Sequence, residues 1–379
     1  MNIVGVSLFV TRLPLVHGFE TSSHRKSHLD HILVRFTDES GAEGWGEIAS
    51  ATDPFYSSET VDTALLIART YIVPAVIGHE WQTPAELATT WARVRGHEFA
   101  KAGFDMAAWS LYTSSRGESL SAALGGTRTE VAAGVSLGIE ASIDALLGEV
   151  GRHVDARYRR VKLKIKPGWD VEPVRAVRAA FPQQDLHVDA NGIYADTEET
   201  TALMRQLDEH SLSMIEQPYG PRDFVAHSRL QQVLETPICL DEGVVDLDDI
   251  GTMVALGAGR ILNIKVSRMG GLTTAIAAHD LAREAGIPVW CGGMHEFGIG
   301  RAANVALSSL PGFSYPSDVS ASEKYYEKDV IEPPVTAENG MVQVPHGAGL
   351  GFAVLPDWIA ENAISTEHFT STKQHGDRA

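Results

Sequence analysis

The chain has 379 residues, 44% of them hydrophobic, and carries 31 Lys and Arg against 49 Asp and Glu, a formal net charge of −18. That length suits one barrel with a smaller domain, or two to three units of ordinary size, and the hydrophobic share excludes disorder as the dominant state. The acidic balance argues against nucleic acid or an anionic membrane surface as partner, and no uncharged apolar run reaches the roughly 18 residues that a membrane span needs.

The chain reads in three stretches. Residues 1–127 have α+β character. Asn2–Phe9 and His31–Phe36 read as strands, Gly44–Glu47 begins another, and Ala100–Tyr112 follows a helical pattern. The opening MNIVGVSLFVTRLPLVHGF lacks a basic start, and Arg12 interrupts its apolar run, so it does not read as a signal peptide. The two cysteines, Cys239 and Cys291, build no disulfide framework, and both are expected as buried thiols in a reducing cytoplasm.

From 128 to 320 short apolar runs alternate with helical ones. The apolar runs are Val131–Gly138, Arg160–Ile165, Leu186–Asp189, Ser213–Glu216, Ile238–Asp241, Ile261–Lys265 and Pro288–Cys291. Between the first two, Ile143, Leu146, Leu147, Val150 and Val154 share one helical face, with Ser142 placed as the cap. Parallel strands need crossovers, so the alternation predicts a parallel sheet, and seven repeats favour a closed (β/α) barrel. Residues 321–379 leave the barrel pattern and are expected to return to the first domain, with 366–379 fraying as a polar tail.

Charged residues close five successive barrel runs: Lys164, Asp189, Glu216, Asp241 and Lys265, at steady intervals of one strand–helix unit. That spacing places them at one level, the C-terminal mouth where barrel enzymes keep their sites. Three converging carboxylates repel one another unless a cation joins them. All-oxygen donors select a hard divalent ion, so Asp189, Glu216 and Asp241 are the candidate ligands for Mg²⁺, with Mn²⁺ as the substitute. In VKLKIK, residues two apart share a face, which aims Lys162, Lys164 and Lys166 the same way and should depress their pKa values toward those of useful bases. Lys265 lies four strands from Lys164, on the opposite wall. Two such bases across a metal-bound carboxylate suit removal and return of an α-proton through an enediolate.

KLKI at 162–165, VDAN at 188–191, IEQP at 215–218, CLDE at 239–242 and NIK at 263–265 resemble the muconate-lactonising subgroup of the enolase superfamily. WCGGM at 290–294, GRAANVALSSLPGF at 300–313 and PFYSSE at 54–59 narrow the resemblance to the N-succinylamino-acid racemase / o-succinylbenzoate synthase family, over roughly residues 1–360. The resemblance implies a modified (β/α)₇β barrel under an α+β capping domain made by the N-terminal segment and the C-terminal tail. It implies Mg²⁺ on Asp189, Glu216 and Asp241, an acid/base pair in Lys164 and Lys265, and Lys162 beside the substrate carboxylate. Asn191, Tyr56, Ser23 and His295 are then candidate substrate contacts. The loop Ser23–His28 and His295 are more polar than the family usually shows, which points to a polar or anionic acyl group or side chain.

Other signals take plainer meanings. His24, His28 and His31 read as a solvated loop rather than a metal clip. Gly298–Ala303 imitates a dinucleotide fingerprint but does not follow its strand directly. The expected function is Mg²⁺-dependent racemisation of N-acylated amino acids. The alternatives are dehydration to o-succinylbenzoate, cycloisomerisation or dipeptide epimerisation, and a metal-binding barrel without turnover. The partner is a small carboxylate, and a homo-oligomer is expected.

Overall fold

The computed structural model describes residues 1–20 and 25–371. The first domain is built on long antiparallel strands, β1 (Ile3–Glu20), β2 (Arg25–Asp38) and β3 (Glu43–Ile48). Helix α1 (Glu98–Arg116) lies across them. Glycine makes that approach close: a Cβ on Gly46 would fall 1.9 Å from the Gly103 carbonyl oxygen, and one on Gly103 would fall 2.4 Å from Ile48. The strand therefore rests on the helix backbone itself.

The second domain carries seven parallel strands in sequence order: β4 (Gly134–Leu137), β5 (Arg160–Lys164), β6 (Asp185–Asp189), β7 (Met214–Glu216), β8 (Ile238–Leu240), β9 (Ile261–Ile264) and β10 (Val289–Cys291). Their crossovers are α2 (Ile143–Asp155), α3 (Val171–Ala180), α4 (Glu198–Asp208), α5 (Phe224–Gln231), α6 (Leu247–Leu256) and α7 (Leu272–Glu284), and α8 (Gly298–Ser308) follows β10. Ser142 caps α2 as expected, accepting from Ala145 N at 3.1 Å. The segment after α8 fills the gap between β10 and β4. Ser314 N donates to Val289 O, Asp318 N to Cys291 O and Gly134 N to Ser317 O. These bonds join the two edges of the sheet.

Two expectations need correction. The run 131–138 is not one strand: Glu130–Ala132 pairs antiparallel with Met341–Gln343, and only Gly134–Leu137 enters the barrel. The chain does not fray from Thr366, because Ala363–Thr370 forms a strand on β1. It covers an edge that would otherwise stand unpaired, sets Phe369 against the first domain's core and bonds His368 Nδ1 to Ser7 Oγ at 2.9 Å. No helix among the described residues is long and apolar enough to cross a membrane.

Three helices lack a capping side chain at their own N-cap and borrow a carboxylate from the first domain. Glu47 accepts from Phe297 N and Gly300 N, both at 2.7 Å, at the start of α8. Asp105 accepts from Thr273 N at 3.0 Å at the start of α7, where burial pushes its carboxyl up to about 6. Glu59 accepts from Phe99 N and Ala100 N at the start of α1. The negative charge at each helix start opposes the dipole's positive end.

Gly46→Ala should cost about 3 kcal/mol, since neither backbone can retreat from the added methyl. Gly148→Ala, in α2 with nothing within 4 Å of its Cβ, should gain about 0.5–1 kcal/mol. Urea denaturation of both variants measures the contrast.

Candidate active site

The candidate residues sit at the C-terminal ends of their strands. Lys164, Asp189 and Glu216 are the last residues of β5, β6 and β7 and are direct partners across the sheet. Asp241 lies two residues beyond Cys239, the partner of Glu216. Lys265 lies three residues beyond Leu262, whose partner Leu240 immediately precedes Asp241, so its level advances two residues more. Across four joins the register therefore moves four residues. That is about one per join, the stagger of an eight-position barrel with a shear of about 8. The five side chains stand at one height along the barrel axis even though they do not share one rung.

The three carboxylates are buried, each at 1% exposure or less, and each is tied to cations. Lys164 Nζ donates to Asp189 Oδ2 at 2.6 Å and to Asn191 Oδ1 at 2.7 Å. Lys162 Nζ meets Glu216 Oε2 at 3.2 Å, Asp189 Oδ2 at 3.5 Å and Asp318 Oδ2 at 3.0 Å. Lys265 Nζ donates to Asp241 Oδ2 at 2.9 Å, and the Arg268 guanidinium takes Oδ1 of the same carboxylate. Tyr56 OH accepts from Lys265 at 3.0 Å and donates to Asp241 at 3.3 Å.

For Lys162 these pairs reverse the expected depression of its pKa. Burial alone would pull the Lys162 ammonium down, but Asp318, Glu216 and Asp189 outweigh it and hold it above the ordinary lysine range. For Lys265, burial is likewise outweighed, by Tyr56, Glu242 and Glu216. The expected crowding of three lysines is absent because β5 ends at Lys164. Lys166 leaves the alternation, bridges to Trp169 and faces a different cavity.

As a donor set, Asp189, Glu216 and Asp241 fit a hard divalent cation: all oxygen, buried, and on adjoining strands. Among the described residues no three His, Cys, Asp or Glu side chains are gathered as an ion's ligands, and ammonium and guanidinium groups stand on these carboxylate oxygens.

Above the carboxylates lies a cavity of about 330 Å³ between the two domains. Lys162, Lys164, Asn191, Lys265, Tyr56 and His295 all line it. Its roof comes from β2 (Leu29, Asp30, His31) and from the segment after β3. Ser23 lies outside the described residues. His295 has a positive φ of 61° and stacks on Tyr325 at 5.0 Å. His31 is not part of a solvated loop: it is buried in β2, bonded to Glu47 Oε1 at 2.7 Å and packed on Phe297. Burial pushes both cysteine thiols up, consistent with inert core residues.

The sequence reading missed Arg268, Glu242, Asp318, Asn263 and His187. Asn263 donates to Glu216 Oε1 at 2.7 Å, and His187 Nε2 stands 2.9 Å from Oε2. Each lies two residues before a predicted member, so the same alternation would have found both. Asp318 accepts from Arg160 and Lys162, which hold it well below the carboxylate range against the upward pull of burial.

Glu59 closes the segment that carries Tyr56, and burial pushes its carboxyl up to about 7. Its folded pKa lies above the unfolded value, so between about 4.5 and 7 the native state binds the extra proton, and this contribution to stability falls as pH rises. Glu59→Gln should flatten the decline in urea midpoint between pH 5 and 7.5. An unchanged slope would refute the assignment.

Two family models match the chain. Residues 145–358 match "Enolase C-terminal domain-like", and residues 4–125 match "Mandelate racemase / muconate lactonizing enzyme, N-terminal domain". An o-succinylbenzoate synthase of Geobacillus kaustophilus is 44% identical over 354 residues, covering 93% of this chain and 94% of that protein. An N-succinylamino acid racemase of Amycolatopsis sp is 43% identical over 362 residues, covering 95% and 97%. A solved structure of an enolase-superfamily member from Listeria innocua superposes with a TM-score of 0.93 at 35% identity, covering 98% of this chain and 99% of that one.

Proposed function

This chain belongs to the mandelate racemase / muconate lactonizing enzyme family of the enolase superfamily, and on that premise we propose that it racemises N-succinyl-type amino acids by moving the α-proton between Lys164 and Lys265. The observation that carries this reading is that both lysines line one cavity from strands four apart in the sheet. Enzymes of this family generally use a divalent metal. Asp189, Glu216 and Asp241 would hold Mg²⁺, which when bound supplies positive charge to a substrate carboxylate and to the enediolate formed from it.

Lys162, which lines the cavity beside Asp189 and Glu216, would stand next to the substrate carboxylate. Lys164 in its neutral form removes the α-proton from one face, and the Lys265 ammonium delivers a proton to the other. In the reverse direction the two exchange roles. Asn191 orients Lys164 through its Oδ1, and Tyr56 orients Lys265 through its hydroxyl. Dipeptide epimerisation is disfavoured. Asp318, the only acid between Phe313 and Val319, is already neutralised by Arg160 and Lys162 and has no charge left for a substrate ammonium.

A second reading, o-succinylbenzoate synthesis, is favoured by the names of several similar proteins. There Lys164 would remove the proton, and Lys265 would stay charged beside the intermediate.

Incubation with Mg²⁺ in D₂O separates the readings. Loss of the α-proton NMR signal from both enantiomers of an N-succinylamino acid supports racemisation. Dehydration of the cyclohexadiene precursor without that exchange supports the synthase. Lys164→Ala and Lys265→Ala should each abolish racemisation while leaving Mg²⁺ affinity nearly intact, and wild-type racemisation by Lys265→Ala would sink the two-base reading. Asp241→Asn should weaken Mg²⁺ binding by roughly tenfold or more in calorimetry, as expected for loss of a carboxylate ligand.

A further inference from the structure

We propose that Glu242 is a positioning residue: it fixes the side-chain amide of Asn191 with its oxygen toward Lys164, and so holds the direction in which the Lys164 amine points. The inference rests on the reading of Lys164 as a base in this cavity and names the group that keeps it aimed.

Glu242 stands apart from the other carboxylates of the barrel mouth. Asp189, Glu216, Asp241 and Asp318 each carry an ammonium or guanidinium on an oxygen. Among the described residues Glu242 makes no ion pair. Its side-chain hydrogen bond is with Asn191, and its buried Oε2 has no partner. A carboxylate drawn out of water without a cation is costly, so pairing within the mouth does not account for its presence. It follows Asp241 on the loop after β8 and lines the catalytic cavity together with Asn191, Lys164 and Lys265.

The inventory of donors and acceptors shows what this acid does. Asn191 Nδ2 donates to Glu242 Oε1 at 2.8 Å, and Asn191 Oδ1 accepts from Lys164 Nζ at 2.7 Å. A carboxylate only accepts, and an ammonium only donates. Turned over, the amide would set its NH₂ against the ammonium and its oxygen against the carboxylate. While Lys164 is charged, both neighbours enforce the orientation. Once Lys164 is a neutral amine it can accept as well as donate, and Glu242 alone then keeps the amide oxygen facing it. The backbone of Asn191 is held separately. Its φ is 48°, its N donates to Asp189 Oδ1 at 2.9 Å, and Gly192 N donates to Gln217 O at 2.7 Å. The side-chain amide is thus the part still able to turn. With one N–H tied to Asn191 Oδ1, the lone pair of the neutral Lys164 amine is directed elsewhere, and the cavity is where Lys164 opens.

Three variants separate reach from charge. Glu242→Asp keeps the charge but is one methylene too short for Asn191. Glu242→Gln keeps the reach and loses the charge. Asn191→Gly removes the amide, and glycine accepts the positive φ without strain. Crystal structures and α-proton exchange of each enantiomer of N-succinylphenylalanine, with Mg²⁺ in D₂O, are the readouts. Glu242→Asp should break the Lys164–Asn191 hydrogen bond. Glu242→Asp and Asn191→Gly should each slow exchange of one and the same enantiomer, the one whose proton faces Lys164, roughly tenfold or more relative to the other. Glu242→Gln should lose less than Glu242→Asp, and adding either change to Asn191→Gly should cost nothing further. An intact Lys164–Asn191 bond in Glu242→Asp overturns the proposal. So do equal losses on both enantiomers, a greater loss in Glu242→Gln than in Glu242→Asp, or losses that multiply in the double variant. Should Glu242→Asp fail to fold, as judged by circular dichroism, Glu242→Gln in the Asn191→Gly background decides, and any further loss there overturns it. A broken bond in Glu242→Asp, with no exchange of either enantiomer even by the wild type, keeps the positioning role and removes the racemase reading.

Discussion

Mutual neutralisation of buried charges at the barrel mouth is the constraint on which the site's geometry depends. Asp189, Glu216, Asp241 and Asp318 are carboxylates withdrawn from water, and each would be intolerable there without its ammonium or guanidinium. The pairing also fixes positions. Arg268 grips Asp241 while donating to the carbonyls of Val244 and Asn263, so one side chain ties the loop after β8 to the end of β9. Lys162 bridges acids from three different segments. Removing any one member leaves its partner charged and buried, so the lysines are held in place by the same bonds that stabilise the mouth.

The capping domain is coupled to this mouth by the same kind of interaction. Glu47 receives the first amides of α8, and its partner His31 lines the cavity. Asp105 receives the start of α7, while within the capping domain itself Glu59 receives the start of α1. Each carboxylate replaces a cap that the helix's own N-cap residue does not provide. The roof of the cavity is therefore seated on helix ends by charge and hydrogen bonding rather than by apolar contact alone. Tyr56, the roof residue that reaches Lys265, lies three residues before one of these anchors.

Much of this was legible in the chain because two periodicities carry it. Alternation within strands placed Lys162 and Lys164 together, and the steady interval between repeats placed Asp189, Glu216, Asp241 and Lys265 on successive strand ends. What stayed hidden depends on three-dimensional partners. Lys166 has the right parity but follows the strand's last residue, where parity ceases to constrain direction. The direction of the lysine pKa values depended on Asp318 and Glu242, acids whose proximity no spacing reveals. The polar segment after Thr366 looked like a tail because a strand on an exposed edge needs only every second residue to pack, and Phe369 supplies most of that packing. Caps supplied from another domain leave no trace at the helix start itself.

Under the proposed function, the arrangement would also favour an acylated nitrogen. A free amino acid at neutral pH carries an ammonium on the carbon that must lose its proton. In the proposed pose the Lys265 ammonium would lie near that carbon, and like charges about 4 Å apart repel by roughly 4 kcal/mol at an effective dielectric of 20, a figure that the pairing of Lys265 with Asp241 reduces. Acylation removes the charge from the nitrogen. On the proposed function, an ammonium on that carbon is opposed by the cavity's own charge, and acylation of the nitrogen removes the conflict.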